Sequence, residues 1–191
     1  KGLSGIILFD ETIRQKTGDG TPFADFLASR GIIPGIKVDQ KTEPFDKAQG
    51  KPLVGSPVEE VTNGLVGLSE RLVEYAKMGA KFTKWRAVIR IGEGLPTRGG
   101  LQENAKRMAE YAVESQKAGL VPIVEPEVLL EGNHSFKRCE EVIKETLEET
   151  FSAIAEKGVN LPGLILKSSM VLPGKDSGET AMAKEIAEAT V

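Results

Sequence analysis

Four segments of the sequence place two polar side chains two residues apart inside an apolar run. These pairs are Lys37 and Asp39, Lys84 and Arg86, Glu125 and Glu127, and Lys167 and Ser169. Residues at i and i+2 lie on the same face of a β-strand. Ionised groups on a buried face are costly unless they pair or perform chemistry. The four pairs therefore predict a polar site, rich in lysine and glutamate, at the ends of neighbouring strands.

Lys167 is the candidate nucleophile of this site. It follows the apolar run Leu164-Ile-Leu, which would desolvate its amine. Desolvation and nearby cations both favour a neutral amine, which can attack a ketone and form a Schiff base. Lys37, Lys84 and Arg86 are the cations that could act on it. The alternative is a lysine that extends from a strand end into solvent.

Glu125 and Glu127 are the candidate acid/base groups. They flank Pro126 and lie two residues apart, so that a strand would direct both to one face. A Schiff-base reaction needs a general acid/base to dehydrate the carbinolamine and to move protons on the substrate. Loop or helix-capping carboxylates are the alternative, since a proline within a strand indicates an edge or a bulge.

The remaining candidates are charged groups for a substrate anion. Lys84 and Arg86 would face the site while Trp85, between them, faces outer helices. Cations directed into a site suit a phosphorylated substrate or a developing oxyanion. For Lys37 and Asp39 a simple ion pair is the alternative.

The order of elements predicts an α/β fold. Short apolar runs alternate with longer helical patterns, which favours βαβ units and a parallel sheet. The predicted strands are 4–9, 32–38, 82–91, 120–125 and 164–168, each of the kind buried on both faces, and the predicted helices are 22–30, 65–79, 101–119 and 136–158. No complete G-x-G-x-x-G fingerprint follows a strand, so we predict part of a TIM (β/α)8 barrel rather than a doubly wound sheet. Residues 1–191 would form one domain, with a long loop from Gln40 to Asn63.

Composition excludes several classes of function. The net charge of -3 gives no global basic field, which argues against nucleic-acid binding and a polybasic membrane anchor. Cys139 is the only cysteine and His134 the only histidine, and a helical pattern packs Cys139 into a core. A Cys/His nucleophile or a zinc site is therefore not expected. With no signal peptide or long apolar run in the sequence, a cytoplasmic location is expected.

Five motifs carry a resemblance to a known family. They are Gly5-Ile-Ile-Leu-Phe-Asp-Glu-Thr12, Pro34-Gly-Ile-Lys-Val-Asp39, Ala80-Lys-Phe-Thr-Lys-Trp-Arg86, Gly119-Leu-Val-Pro-Ile-Val-Glu-Pro-Glu127, and Leu164-Ile-Leu-Lys167 followed by Met170. In order and spacing the sequence resembles class I fructose-bisphosphate aldolase. The resemblance implies that the chain supplies five βα units, from the second to the sixth strand of the barrel, and is incomplete at both ends.

The resemblance also implies a reaction and roles. The reaction is reversible cleavage of fructose 1,6-bisphosphate to dihydroxyacetone phosphate and glyceraldehyde 3-phosphate. Lys167 would be the Schiff-base lysine, Glu125 the acid/base residue, and Lys84 a group that polarises the substrate around the cleaved bond. The substrate-binding candidates are Lys37, Asp39, Arg86 and Glu127. The resemblance implies no metal or other cofactor. It does imply a homotetramer.

The sequence also departs from the family pattern. Lys167-Ser-Ser-Met170 stands where the family often has Lys-Pro-Asn-Met, Gln40-Lys-Thr42 stands near a family glycine, and the loop after Gln40 is longer than in animal and plant forms. A bacterial-type branch is expected. Because a first-strand aspartate, phosphate-binding segments and a C-terminal tail are absent, this chain alone is expected to be inactive.

Two other functions compete with this interpretation. Another Schiff-base lyase on the same barrel, such as a transaldolase or a deoxyribose-phosphate aldolase, would share the fold and the lysine. A sugar-phosphate-binding scaffold would share the fold alone. The presence of Lys167, Glu125 and Lys84 together argues against the scaffold, since binding by itself requires no such set.

Overall fold

The computed structural model describes residues 2–45 and 58–191. The strands are β1 (Gly5–Leu8), β2 (Ile33–Lys37), β3 (Thr42–Pro44), β4 (Glu60–Thr62), β5 (Phe82–Ile89), β6 (Val121–Val128) and β7 (Ile165–Leu166). The helices are α1 (Asp10–Ile13), α2 (Phe23–Ser29), α3 (Leu68–Lys77), α4 (Arg98–Lys117), α5 (Phe136–Glu156) and α6 (Ala183–Thr190). Across these two ranges, no helix combines the length and the apolar character that crossing a membrane requires.

Five of the strands form one parallel sheet, in the order β1-β2-β5-β6-β7. These are the five strands that the sequence predicts, each separated from the next by helix. Lys37 stands opposite Lys84 in the β2–β5 register, and Arg86 opposite Glu125 in the β5–β6 register. The parallel register therefore brings the polar side chains of neighbouring strands side by side.

The two faces of the sheet differ. One face packs on the helices, and its side chains are fully buried at Ile36, Trp85 and Val124. The other face carries four aliphatic side chains that are 38–48% exposed: Ile7, Ile33, Val121 and Ile165. The prediction that the strands are buried on both faces is therefore wrong for this chain. The five described strands form an open sheet, which leaves its second face uncovered.

Side-chain caps mark the beginnings of α4 and α5. Thr97 caps α4 by accepting a hydrogen bond from the Gly100 N–H at 3.0 Å, and Ser135 caps α5 by accepting from the Arg138 N–H at 3.1 Å. The carboxylate of Glu59 accepts from the Thr97 N–H at 2.8 Å, placing negative charge at the positive end of the α4 dipole. These contacts fix where the two longest helices begin.

The segment from Gln40 to Asn63 differs from the predicted loop. Its described ends form an antiparallel ribbon of β3 and β4, and residues 46–57 lie outside the described residues. Arg107 of α4 secures the ribbon by donating to the Thr62 carbonyl at 3.1 Å and to the Asn63 side chain at 2.8 Å. Three-residue strands are too short to give a period-two signal, so the sequence pattern does not predict them.

A buried hydroxyl network joins β5 and β6 to α4. The Tyr111 hydroxyl lies 2.8 Å from Thr83 Oγ1 and accepts from the Ile123 N–H at 3.1 Å. Thr83 in turn donates to Ser115 Oγ at 2.9 Å. Burial raises the pKa of Tyr111, so the phenol stays neutral and keeps its donor. The network anchors the strands directly behind the polar end of the sheet.

Replacing Tyr111 by phenylalanine should lower the free energy of unfolding by about 1–3 kcal/mol, because Thr83 and Ile123 lose a buried partner. The urea midpoint measures the loss. Tyr75→Phe is the matched control, since the Tyr75 hydroxyl donates to Asp10, whose side chain is 56% exposed and can turn to water. An equal effect of the two changes would contradict the structural role given to Tyr111.

The chain after β7 returns to the loop after β6. The backbone N–H groups of Gly174 and Asp176 donate to the carbonyls of His134 and Gly132, each at 2.9 Å. A Cβ atom on Gly174 would overlap the Gly132 carbonyl oxygen, so that only glycine permits this approach. His134 is 7% exposed here, and neither ring nitrogen has a hydrogen-bond partner within the described chain.

His134 should make stability depend on pH. Burial lowers its pKa below the ordinary value of about 6.5, so the unfolded chain takes up a proton more readily than the folded chain. The free energy of unfolding should therefore decrease as the pH falls below about 6.5. Urea midpoints between pH 7.5 and 5 measure this slope. His134→Leu should flatten it, and an unchanged slope in that variant would contradict the prediction.

Candidate active site

The seven predicted site residues lie on or just after four parallel strands, although Lys84, Arg86 and Glu125 lie within their strands rather than at the predicted strand ends. The residues are Lys37 on β2, Asp39 just after it, Lys84 and Arg86 on β5, Glu125 and Glu127 on β6, and Lys167 just after β7. The Lys167 N–H donates to the Val124 carbonyl at 2.9 Å, which extends the β6–β7 ladder and places its side chain beside that of Glu125. Their alternation along each strand directs them to the face opposite the helices, as predicted.

Glu125 is the centre of this arrangement. Its side chain is only 5% exposed and contacts two ammonium groups. One is that of Lys84 on β5, and the other is that of Lys167, just after β7. The Lys84 Nζ lies 2.6 Å from Oε2, and Lys167 donates a hydrogen bond to Oε1. Burial opposes ionisation, but the two ammonium groups outweigh it and hold the pKa of Glu125 below its ordinary value. The carboxylate is thus ionised and positioned to exchange protons with Lys167.

Lys167 differs from the prediction in its surroundings. The sequence predicts a desolvated amine, whereas the side chain is 56% exposed. The reason is that β7 has only two residues and forms the outer edge of the described sheet. Its closest charged neighbour is Glu125 rather than a cation. In this chain the amine is therefore accessible to a substrate and oriented by a carboxylate.

A second ionic network lies beside the first. Lys37 pairs with Asp39, whose other carboxylate oxygen accepts from the Arg86 N–H at 3.2 Å. Arg86 pairs in turn with Glu127. The pair between Lys37 and Asp39, which the sequence left as an alternative, is therefore present. Lys37 and Arg86 are therefore each held in position by a carboxylate.

A cavity of about 560 Å³ opens above this network. It is lined by Lys37, Asp39, Lys41, Thr42, Glu60, Thr62, Arg86, Val88, Arg90, Leu129 and Glu131. Arg90 pairs with Glu60 at 3.5 Å. Sequence reasoning missed Lys41, Thr42 and Glu60, because they reach the cavity only through the β3–β4 ribbon.

Ser169 and Cys139 stabilise the fold, the first through a hydrogen bond to the backbone and the second through core packing. Ser169 Oγ accepts from the Val128 N–H at 3.0 Å and so fixes the chain after Lys167 to β6. Cys139 is 1% exposed and packs with Val142 and Ile143, as predicted. In the part of the chain that the structure describes, no group of three or more histidine, cysteine, aspartate or glutamate side chains could hold a metal ion.

A model of the glycolytic class I fructose-bisphosphate aldolases matches residues 1–191. The chain belongs to the class I fructose-bisphosphate aldolase family. It is 52% identical over 189 residues to a protein of Xanthomonas campestris named "Probable fructose-bisphosphate aldolase class 1", and covers 54% of it. It is 46% identical to "Fructose-bisphosphate aldolase 6, cytosolic" of Arabidopsis thaliana, and covers 50% of that protein. Both alignments include 99% of this chain.

A solved aldolase structure confirms the fold. The fructose-bisphosphate aldolase of Plasmodium falciparum, crystallised with TRAP and a small-molecule inhibitor, matches with a TM-score of 0.90 and 40% identity. The match covers 98% of this chain and 52% of that one. The chain spans about half the length of the aldolases it matches. The predicted α/β barrel class is therefore confirmed, with this chain forming an open portion of the barrel.

Proposed function

We propose that this chain carries the Schiff-base centre of a fructose-bisphosphate aldolase, which reversibly cleaves fructose 1,6-bisphosphate to dihydroxyacetone phosphate and glyceraldehyde 3-phosphate. One observation carries the proposal: a buried carboxylate, Glu125, contacts both Lys84 and Lys167 from the strand between them. An amine for imine formation, a group for proton transfer and a cation for oxygen are thus adjacent.

Imine formation begins with Lys167. Glu125 accepts a proton from the ammonium, and the neutral amine attacks the substrate ketone to give a carbinolamine. Glu125 then returns a proton to the carbinolamine hydroxyl, which leaves as water. The products are a protonated imine on Lys167 and an ionised Glu125. The depressed pKa of this carboxyl means that it holds a proton only briefly, which suits a group that must return it.

Carbon–carbon cleavage follows from the protonated imine, which withdraws electrons from the bond to be broken. A base takes the proton of the hydroxyl on the far carbon, an aldehyde leaves, and an enamine remains on Lys167. Lys84 stabilises negative charge on the oxygen of the reacting carbon. Protonation of the enamine and addition of water then release the ketose phosphate and regenerate the amine.

The charges around the cavity support a phosphorylated substrate. Lys37, Arg86 and Arg90 line it, and each is held by a carboxylate of the chain. Asp39 and Glu127 would order the first two cations rather than contact the phosphate, since like charges repel. The negative charge of these two carboxylates also disfavours binding of anions that do not fit the site.

Several properties of the whole protein belong to this proposal. The relatives are about twice as long, so the activity is proposed for a protein that includes their flanking segments, and the 191-residue chain alone is expected to be inactive. A homotetramer and a cytoplasmic location are proposed from the family and from relatives named as cytosolic.

Trapping of the imine tests the proposal. The 191-residue chain, and a longer protein that adds the relatives' flanking segments, are incubated with dihydroxyacetone phosphate and reduced with borohydride. Peptide mass spectrometry should then locate the added mass on Lys167, and Lys167→Arg, which keeps the charge, should show none. An adduct in the longer protein alone would mean that the chemistry needs the flanking segments. No adduct in either protein would reject the Schiff-base mechanism.

Product analysis separates the competing functions. Release of glyceraldehyde 3-phosphate from fructose 1,6-bisphosphate would identify the aldolase. Transfer of a dihydroxyacetone unit, or cleavage of deoxyribose phosphate, would instead identify another lyase of this barrel class. Ligand binding without a covalent adduct would support the scaffold.

A further inference from the structure

Lys41 has an unusual backbone conformation. Its φ of 52° lies in the left-handed region, where the described chain has no other residue that is not glycine. A side chain in this region crowds its own backbone, so an L-residue remains there only when its surroundings impose the conformation. Such residues concentrate at sites of function.

The base of the ribbon imposes this conformation. The Asn63 N–H donates to the Lys41 carbonyl at 3.1 Å, and the Gln40 N–H donates to the Asn63 carbonyl at 2.7 Å. Just before them, Asp39 is held by Lys37 and by the Arg86 N–H. The turn from β2 into β3 is thus fixed on both sides, and Lys41, within this turn, is one of the residues that line the cavity.

Lys41 also differs from the other cations of the cavity in its charge environment. Lys37, Arg86 and Arg90 pair with Asp39, Glu127 and Glu60. The Lys41 ammonium has no hydrogen bond or ion pair with any side chain in the ranges 2–45 and 58–191. Among the described residues, an anion that enters the cavity therefore meets one cation, Lys41, that no carboxylate pairs with.

We infer that Lys41 binds the phosphate at the end of the substrate that lies away from Lys167. Three strand-to-strand steps separate β2 from β7 in the sheet, about 14 Å at the usual spacing. A substrate with its ketone on Lys167 reaches Lys41 only with its far end. The choice of phosphate as the ligand rests on the proposed function.

This position makes Lys41 a specificity-determining residue. A substrate with phosphate groups at both ends gains a contact between its far phosphate and the Lys41 ammonium. A substrate with a single phosphate near the ketone does not gain this contact. The chain should therefore favour fructose 1,6-bisphosphate over fructose 1-phosphate partly through Lys41. The strained backbone is the means by which the ribbon aims this side chain.

Four variants test the inference. Lys41→Gly removes the charge and accepts the positive φ, Lys41→Asn removes the charge and tolerates that φ, and Lys41→Arg keeps the charge. Lys81→Asn is the control, because it removes the same charge just before β5, at the opposite edge of the sheet. Dissociation constants are measured for fructose 1,6-bisphosphate, fructose 1-phosphate and inorganic phosphate, in the same two proteins as the trapping experiment.

The expected result is a loss of affinity for the bisphosphate alone. Lys41→Gly and Lys41→Asn should weaken its binding about fivefold, the size expected for an exposed charge pair, and leave fructose 1-phosphate unchanged. For Lys41→Arg and Lys81→Asn, the dissociation constants of fructose 1,6-bisphosphate and fructose 1-phosphate should equal those of the unchanged protein. The urea midpoint of Lys41→Gly should not decrease, since the backbone strain is relieved.

Other outcomes separate this inference from the proposed function. Unchanged bisphosphate affinity in Lys41→Gly, or an equal loss in Lys81→Asn, would overturn the role of Lys41. If the adduct on Lys167 forms but the Lys41 variants bind phosphate as tightly as the unchanged protein, only the role of Lys41 is rejected. If Lys41 variants lose affinity for inorganic phosphate but no adduct forms, the anion site stands and the aldol chemistry fails.

Discussion

Glu125→Gln should slow formation of the trapped imine on Lys167 by about 10²- to 10⁴-fold, the range that a positioned acid/base group contributes. The amide keeps the shape of the carboxyl group but cannot accept the proton of the Lys167 ammonium. It also leaves the Lys84 and Lys167 ammonium groups without their shared counter-charge. Mass spectrometry measures the rate at which the reduced adduct accumulates. The measurement uses whichever of the two proteins, the 191-residue chain or the longer one, forms the adduct.

Two further variants control this result. Glu148→Gln removes one carboxylate from the exposed side of α5 and should leave the rate unchanged. Glu125→Asp keeps the charge but withdraws it from both lysines, so its rate should fall between those of the unchanged protein and Glu125→Gln. If Glu125→Gln forms the adduct as fast as the Glu148 variant, proton transfer by Glu125 is not part of the reaction.

Trp85→Ala should lower the free energy of unfolding by about 3–5 kcal/mol, a large part of the total for a small domain. Trp85 is fully buried between the sheet and α4, where its ring stacks on Tyr111 with centroids 5.3 Å apart. Removing the indole leaves a cavity under the strand that carries Lys84 and Arg86. The urea midpoint and the near-ultraviolet circular dichroism would measure the loss.

Val66→Ala is the control for this effect. Val66 is 93% exposed, and exposed substitutions usually change stability by no more than about 0.5 kcal/mol. A midpoint of Trp85→Ala close to that of Val66→Ala would mean that the helices do not pack on this face of the sheet. Native spectra with a lowered midpoint would confirm the packing and leave the site available for study.

The sheet and its site could be predicted because both depend on the period of two along a strand. The spacing of Lys84 and Arg86 around Trp85 assigns the three side chains to opposite faces, and the structure confirms this. The same period directs Glu125 and Glu127 to the site. Parallel order then brings the polar positions of neighbouring strands together without knowledge of any individual contact.

The remaining features depend on contacts that a local pattern does not contain. The β3–β4 ribbon, held by Arg107 from a distant helix, brings Lys41 and Glu60 to the cavity. Within the described sheet, Lys167 is exposed because the two-residue strand β7 is the outermost strand, which the apolar residues before Lys167 do not indicate. The pairing of Lys167 with Glu125 likewise follows from three-dimensional neighbours.

The close approach of Gly174 to the Gly132 carbonyl has a consequence for the evolutionary record. No side chain fits at position 174 while the backbone after β7 pairs with the loop after β6. A mutation there could persist only in lineages that had already rebuilt the other loop. Across an alignment of aldolases, positions 132 and 174 should therefore be invariant together or replaced together, a covariation between two sites that lie far apart along the chain.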